Sequence, residues 1–157
     1  MKSVWEILLV PIVLAVLGCA GKPPPPLPPT QVVLTVAAAA DLNPDLSGRP
    51  SPLVVRLYEL KTPGTFTSSD FFTLYEKDGT VLANDMVARE EMLIKAGETR
   101  QLERTLGETT RHLGLLAAYR DLDQAVWRTT LAVPLHKTTV IKIDLQRAAV
   151  IARPVTN

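Results

Sequence analysis

The sequence predicts an all-β domain, and three observations carry that reading. From Gln31 onward short apolar segments alternate with a period of two, turn residues separate them, and one stretch alone, around Phe71–Tyr75, shifts to helical spacing. Eight short strands with one inserted helix favour two antiparallel sheets packed face to face, with a partly open barrel as the alternative.

The first element is not part of the fold. The chain has 157 residues, a length suited to about one domain, and 46% of them are apolar. That ordinary average conceals a local excess in Met1–Gly18, where Lys2 precedes the apolar run Ile7–Leu17, interrupted by Pro11. As a helix the run would be about 16 Å long, against the ~30 Å hydrocarbon core of a bilayer. A positive start, a short apolar segment and the small Gly18 read as a secretory signal peptide over residues 1–18. Val16-Leu17-Gly18-Cys19 resembles a bacterial lipobox, in which cleavage before the cysteine leaves a residue that carries lipid. Cys19 is then a membrane anchor, and Ala20 after it, by resemblance to the bacterial sorting rule, points to the outer membrane. Residues 19–30 form a tether, because Pro23–Pro29 holds six prolines and favours an extended polyproline II chain. From Cys19 to Gln31 it reaches up to about 37 Å at ~3.1 Å per residue.

Residues 31–157 make the folded domain. Strands are expected at 31–39, 53–61, 86–95, 98–106, 111–120, 127–133, 138–145 and 148–153. In the second, Leu53, Val55 and Leu57 share one face and Arg56 and Tyr58 the other; in the third, Arg89, Glu90 and Glu91 suit a helix as well as a strand. Lys95-Ala96-Gly97-Glu98 and Pro134-Leu135-His136-Lys137 look like hairpin connections, with Gly97 free to take a positive φ. Between the second and third strands Asp70 can cap a helix whose Phe71, Leu74 and Tyr75 fall on one face, ending at Gly79. Its aromatic face completes a core or is offered to a partner.

The ionisable groups do not assemble a catalytic site. Seventeen basic and sixteen acidic residues give a net charge of +1, which argues against a nucleic-acid partner. The single cysteine excludes an intramolecular disulfide. His112 and His136 have no ligands at metal-binding spacing and read as solvated, Asp121 and Asp123 are too few for calcium, and Glu90-Glu91 is an acidic pair without an evident partner. Neither a nucleophile elbow nor a phosphate-binding loop is present, so the sequence predicts no metal, no cofactor beyond lipid on Cys19, and no enzyme.

The Asp41–Pro52 connection is different. It is long for a turn, stiffened by Pro44, Pro50 and Pro52, and carries Leu42, Leu46 and Arg49, the residue types of interface centres. It is either a docking loop or a rigid crossing between sheets.

At this loop the chain resembles a known family. Gly48-Arg49-Pro50-Ser51-Pro52 running into LVVRLYELK, then Asp70-Phe71-Phe72, Leu74-Tyr75, Gly97-Glu98, Ala118-Tyr119-Arg120-Asp121 and Trp127-Arg128, are similar to TssJ, the outer-membrane lipoproteins of bacterial type VI secretion. The resemblance implies a transthyretin-like β-sandwich of two four-stranded sheets with added helical segments. It implies an acylated protein on the periplasmic face of the outer membrane that binds the C-terminal periplasmic region of TssM and so connects outer and inner membranes. It maps a docking loop onto Asn43, Pro44, Asp45, Gly48, Arg49 and Pro50. The alternative is a periplasmic small-ligand-binding or hydrolytic lipoprotein on the same fold, which needs a concave pocket.

Overall fold

The structure, a computed structural model, describes residues 24–155; the signal segment and Cys19 lie outside the described residues. The order is β1 (Gln31–Ala38), β2 (Leu53–Leu60), α1 (Gly64–Ser68), α2 (Phe71–Val81), β3 (Met86–Ile94), β4 (Thr99–Thr105), β5 (His112–Ala117), β6 (Arg128–Ala132), β7 (Thr138–Gln146) and β8 (Ala149–Pro154). The strands form two four-stranded sheets, ordered β4-β1-β7-β8 and β3-β2-β5-β6. All eight expected strands are present; the fifth is the one that falls well short, stopping at Ala117.

Two expectations about connectivity need correction. The first sheet is mixed, because β1 runs parallel to β7, from Gln31 beside Thr138 to Ala38 beside Leu145. Neither Lys95–Glu98 nor Pro134–Lys137 closes a hairpin: the first carries the chain from β3 to β4 and the second from β6 to β7, each from one sheet to the other. Turn chemistry reports a reversal but not the sheet to which the next strand belongs. Gly97 does take φ +73°, as its position suggests. The tight hairpin is β7–β8, joined by Arg147 and Ala148.

Between the sheets lies one continuous apolar layer. Val32, Leu34 and Val36 of β1 and Ile141, Ile143 and Leu145 of β7 face Leu53, Val55 and Leu57 of β2 and Leu113 and Leu115 of β5, all buried. Each fully buried Leu or Ile contributes about 1.5–3 kcal/mol of burial free energy. A second cluster covers the outer face of the β2–β5 sheet, where Tyr58, Leu60 and Leu116 pack under Phe66 of α1 and Phe71 and Leu74 of α2. Here Gly114 matters: a Cβ on it would lie 3.0 Å from Leu60 Cδ1 and 3.1 Å from Phe66 Cε1, so glycine lets α1 approach the sheet.

Asp70 caps α2 as expected, its carboxylate accepting from the Thr73 N–H at 3.0 Å and the Thr73 hydroxyl at 2.6 Å. Gly79 does not end the helix, which continues to Val81 after a kink at Lys77 (φ −132°). There the Arg56 guanidinium donates to the Tyr75 carbonyl at 2.6 Å, a group that a regular helix would use internally. The acidic pair finds two partners, one on each side of β3. Glu90 accepts from Arg104 of β4 at 2.7 and 2.9 Å across the flank of the sandwich, and Glu91 accepts from Arg56 at 2.6 Å. On the opposite flank a parallel bridge from Val126 to Ala149 ties the two sheets.

These pairings sort the connections into two ends. The tether, the β4–β5 connection and the β6–β7 connection meet at one end, where Leu106 N–H donates to the Thr30 carbonyl at 2.9 Å and Gln31 N–H to that of Lys137 at 3.0 Å. The β1–β2 loop, the β3–β4 turn and the β7–β8 turn meet at the other, where Ala38 N–H donates to Glu98 and Asn43 N–H to Arg147.

Candidate functional site

The β1–β2 connection does cross from one sheet to the other, and its ends are anchored in the core. Leu42 is fully buried between the sheets, and its carbonyl accepts from Ser51 N–H at 3.0 Å. Asn43 follows in the left-handed region, φ +46°, a conformation asparagine tolerates better than most residues. Three polar groups of Asn43 are held: its N–H donates to the Arg147 carbonyl at 3.1 Å, Nδ2 to the Pro52 carbonyl at 3.0 Å, and Oδ1 accepts from Arg120 N–H at 2.9 Å. One buried residue thus ties both ends of the loop together, its side chain reaching the β5–β6 connection and its backbone N–H the β7–β8 connection.

Beyond this knot the loop is held by Asp45. Its carboxylate accepts from Ser47 N–H at 2.8 Å, Arg49 N–H at 3.0 Å and Arg49 Nε at 2.8 Å. The Arg49 N–H is the largest influence holding this carboxyl below its ordinary value of 3.8. Gly48 sits at φ +78°, and its N–H donates to the Asp45 carbonyl at 2.9 Å, closing the tip. At that tip Leu46 is completely exposed, Arg49 has 79% of its side chain exposed, and Pro50 is exposed. Of the six residues marked in the sequence, Asn43 holds, Asp45 and Gly48 shape, and Arg49 and Pro50 are presented, with Pro44 half-buried between.

A groove of about 560 Å³ runs beside the loop, lined by Pro44, Asp45 and Leu46 on one side and Tyr119, Arg120, Gln124 and Arg147 on the other. These last four residues were not singled out for the site from the sequence. Tyr119 is buried, its hydroxyl donating to the Gln146 carbonyl at 3.1 Å, and burial pushes its phenol well above the usual range. No sequence spacing links positions 43, 120 and 147; the fold alone brings them together.

The remaining candidates stand apart. His136 lies at the tether end, and His112 begins β5 with its Nδ1 buried and without a hydrogen-bond partner among the described residues, so it is not solvated as the sequence suggests. Asp121 caps the Gln124 N–H at 3.3 Å. Among the described residues no group of three His, Cys, Asp or Glu side chains could hold a metal ion. Nor, among those residues, is any helix long and apolar enough to cross a membrane. Phe71 is buried against Tyr75 and Trp127 and completes the second cluster, while its neighbour Phe72 is exposed.

The profile of the type VI secretion lipoproteins, described by the names VasD, EvfM and TssJ, matches residues 30–148. The chain belongs to this family. The type VI lipoprotein TssJ1 from Pseudomonas aeruginosa is 44% identical, with a TM-score of 0.81 over 83% of this chain and 99% of that one. Serratia marcescens Lip, a membrane-bound component of the type VI secretion system, is 24% identical with a TM-score of 0.74, covering 82% and 98% of the two chains. A chain in the structure of the TssM C-terminal domain from EAEC is 21% identical with a TM-score of 0.64, covering 80% and 99%. At those two lower identities the likeness is one of fold. No curated protein sequence matches the chain. The sandwich described above is therefore that of a membrane-associated type VI secretion lipoprotein.

Proposed function

We propose that this protein is a non-enzymatic assembly subunit, held in the outer membrane by lipid on Cys19 and binding the C-terminal periplasmic region of TssM through the β1–β2 loop. The observation that carries the reading is the loop's construction. A buried asparagine and a chelating aspartate hold its backbone while Leu46, Arg49 and Pro50 project from it. A surface already ordered before contact loses little entropy on docking, so more of the contact energy appears as affinity. An exposed leucine beside a planar guanidinium suits a partner with an apolar pocket rimmed by carboxylates. Acyl chains supply retention at about 0.8 kcal/mol per buried CH₂. Membrane tethering raises the local concentration of partner sites. The filled layer between the sheets weighs against a carrier of small ligands, whose pocket would normally lie there.

Calorimetry tests the docking half of the proposal. The TssM periplasmic fragment should bind the wild-type chain and bind Arg49→Glu more weakly; unchanged affinity in that variant removes Arg49 from the interface. Cys19→Ser should abolish labelling by a fatty-acid probe and release the protein from membranes, and continued labelling of the serine variant would mean attachment elsewhere.

A further inference from the structure

A proline run is hard to fasten to a folded domain. Lacking N–H groups, it can be gripped through hydrogen bonds only at its carbonyls, by donors that the domain supplies. In this chain one such donor is a side chain. His136 Nδ1 lies 2.9 Å from the Pro28 carbonyl oxygen, and because a carbonyl only accepts, the ring nitrogen carries the proton and donates. The backbone N–H of the same residue donates to the Thr30 hydroxyl at 2.9 Å. Thr30 is buried, and its carbonyl accepts from Leu106 N–H, so the last tether residues are held from the β6–β7 and β4–β5 connections together. Apolar packing of the tether's own leucine does not explain this attachment, since Leu27 is 70% exposed.

The backbone at His136 also stands out. It has φ +57°, one of two non-glycine residues with positive φ among those described, and the other is Asn43, the knot of the docking loop. Such a conformation is disfavoured for a side chain and persists where surrounding contacts over-determine it. At Asn43 three hydrogen bonds do so; at His136 the ring and the N–H both engage the tether.

We infer that His136 and Thr30 form a clamp that fixes where and in what direction the lipid tether leaves the domain, so that the anchored protein points its β1–β2 loop away from the bilayer. The clamp and the loop lie at opposite ends of β1, whose eight residues span about 25 Å at ~3.3 Å each. The clamp also shortens the free tether. From Cys19 to Pro28 it reaches about 28 Å, against the 37 Å available if the chain were free to Gln31. A domain on a longer, swivelling leash would spend part of its time with the loop against lipid. A clamped one offers the loop continuously to a partner arriving from the periplasm. The inference rests on the proposed anchoring at Cys19, and its test separates the two.

The full chain is acylated in cells, purified and placed in phosphatidylethanolamine–phosphatidylglycerol vesicles, with Leu46→Cys carrying a fluorophore and a quencher attached to lipid headgroups. Flotation of the vesicles reports the anchor alone. If the protein fails to float, anchoring at Cys19 is wrong, and the clamp is still judged by the ¹⁵N signal of the His136 ring in the full chain. That signal should show Nδ1 protonated at neutral pH, and a ring protonated only at Nε2 overturns the clamp. In floated samples quenching at Leu46 should be low with the clamp intact. It should rise several-fold in the double variant His136→Gly, Thr30→Val, in which glycine keeps the positive φ and valine keeps the volume. Equal quenching in the two proteins overturns the orientation. Unchanged melting of the double variant shows that the difference is one of attachment and not of folding.

Discussion

Arg56 and Asp78 meet beneath α2 with side chains only 11% and 8% exposed, whereas Arg49 and Asp45 meet at the tip of the β1–β2 loop with 79% and 21% exposed. Both are arginine–aspartate pairs, yet they do different work. Asp78 also accepts from Tyr58 at 2.9 Å and Arg89 at 2.6 Å, while Arg56 spans Glu91 and the Tyr75 carbonyl and stacks over the Tyr75 ring at 4.2 Å. Burial pushes the Tyr58 phenol up to about 12, keeping it a neutral donor. Burial opposes the Asp78 charge, but Arg89 and Tyr58 outweigh it and hold the carboxyl below its ordinary value. This network links β2 and β3 to α2 beside the apolar cluster that packs the helices on the sheet. The loop pair has water around it and stabilises the fold little; its effect is to keep a short backbone in one shape.

The largest effect that would break this contrast is expected at Asp78. Asp78→Ala leaves Arg56 buried with one fewer partner and should destabilise the protein by about 3–5 kcal/mol in urea unfolding. A loss no greater than that of a surface substitution would make the network incidental. Next comes Asn43→Ala, which removes two side-chain hydrogen bonds and strains a positive φ. It should cost about 1–3 kcal/mol and weaken TssM binding as well, since it both supports the fold and shapes the loop. Leu46→Asp should separate these roles, with stability changing by less than about 0.5 kcal/mol and binding weakening by about 1–2 kcal/mol. The smallest effect is read in acid. Both aspartates are held below 3.8, so their contributions are intact above that pH and fade as pH falls through the lower folded values. Acid unfolding should track Asp78, and Asp78→Asn should flatten it. The protection of the Ser47 and Arg49 amides, taken relative to their intrinsic exchange at each pH, should fall in the same range without a change in global unfolding.

The alternation along each strand was legible because one face of every strand meets the central apolar layer. The cover on the second face was harder to read. Arg56 and Tyr58 fall on the outer side of β2 in the sequence pattern, and nothing local says that α1 and α2 will bury them. α1 leaves no periodic signal in the sequence, being five residues long and burying Phe66 alone. The loop was legible from its prolines, Gly48 and Arg49, all local features. Its support was not, because Asn43 is held by residues 77 and 104 positions away, at Arg120 and Arg147. The two crossings misread as hairpins fail for the same reason, since sheet membership is a property of the whole chain.

The parallel pairing of β1 with β7 also sets a schedule. β1 is an interior strand, yet its neighbours are β4, whose residues lie 62–74 positions along the chain, and β7, 107 positions away. When the chain emerges from its N-terminus β1 comes first, and one of its edges stays unpaired until residues near 105 have followed and the other until residues near 146. Contacts so distant in sequence close slowly, and unpaired apolar edges invite wrong partners meanwhile. Completion of the first sheet thus waits on the end of the chain, and truncation before β7 would leave β1 paired with β4 alone, without the β7–β8 half of the sheet.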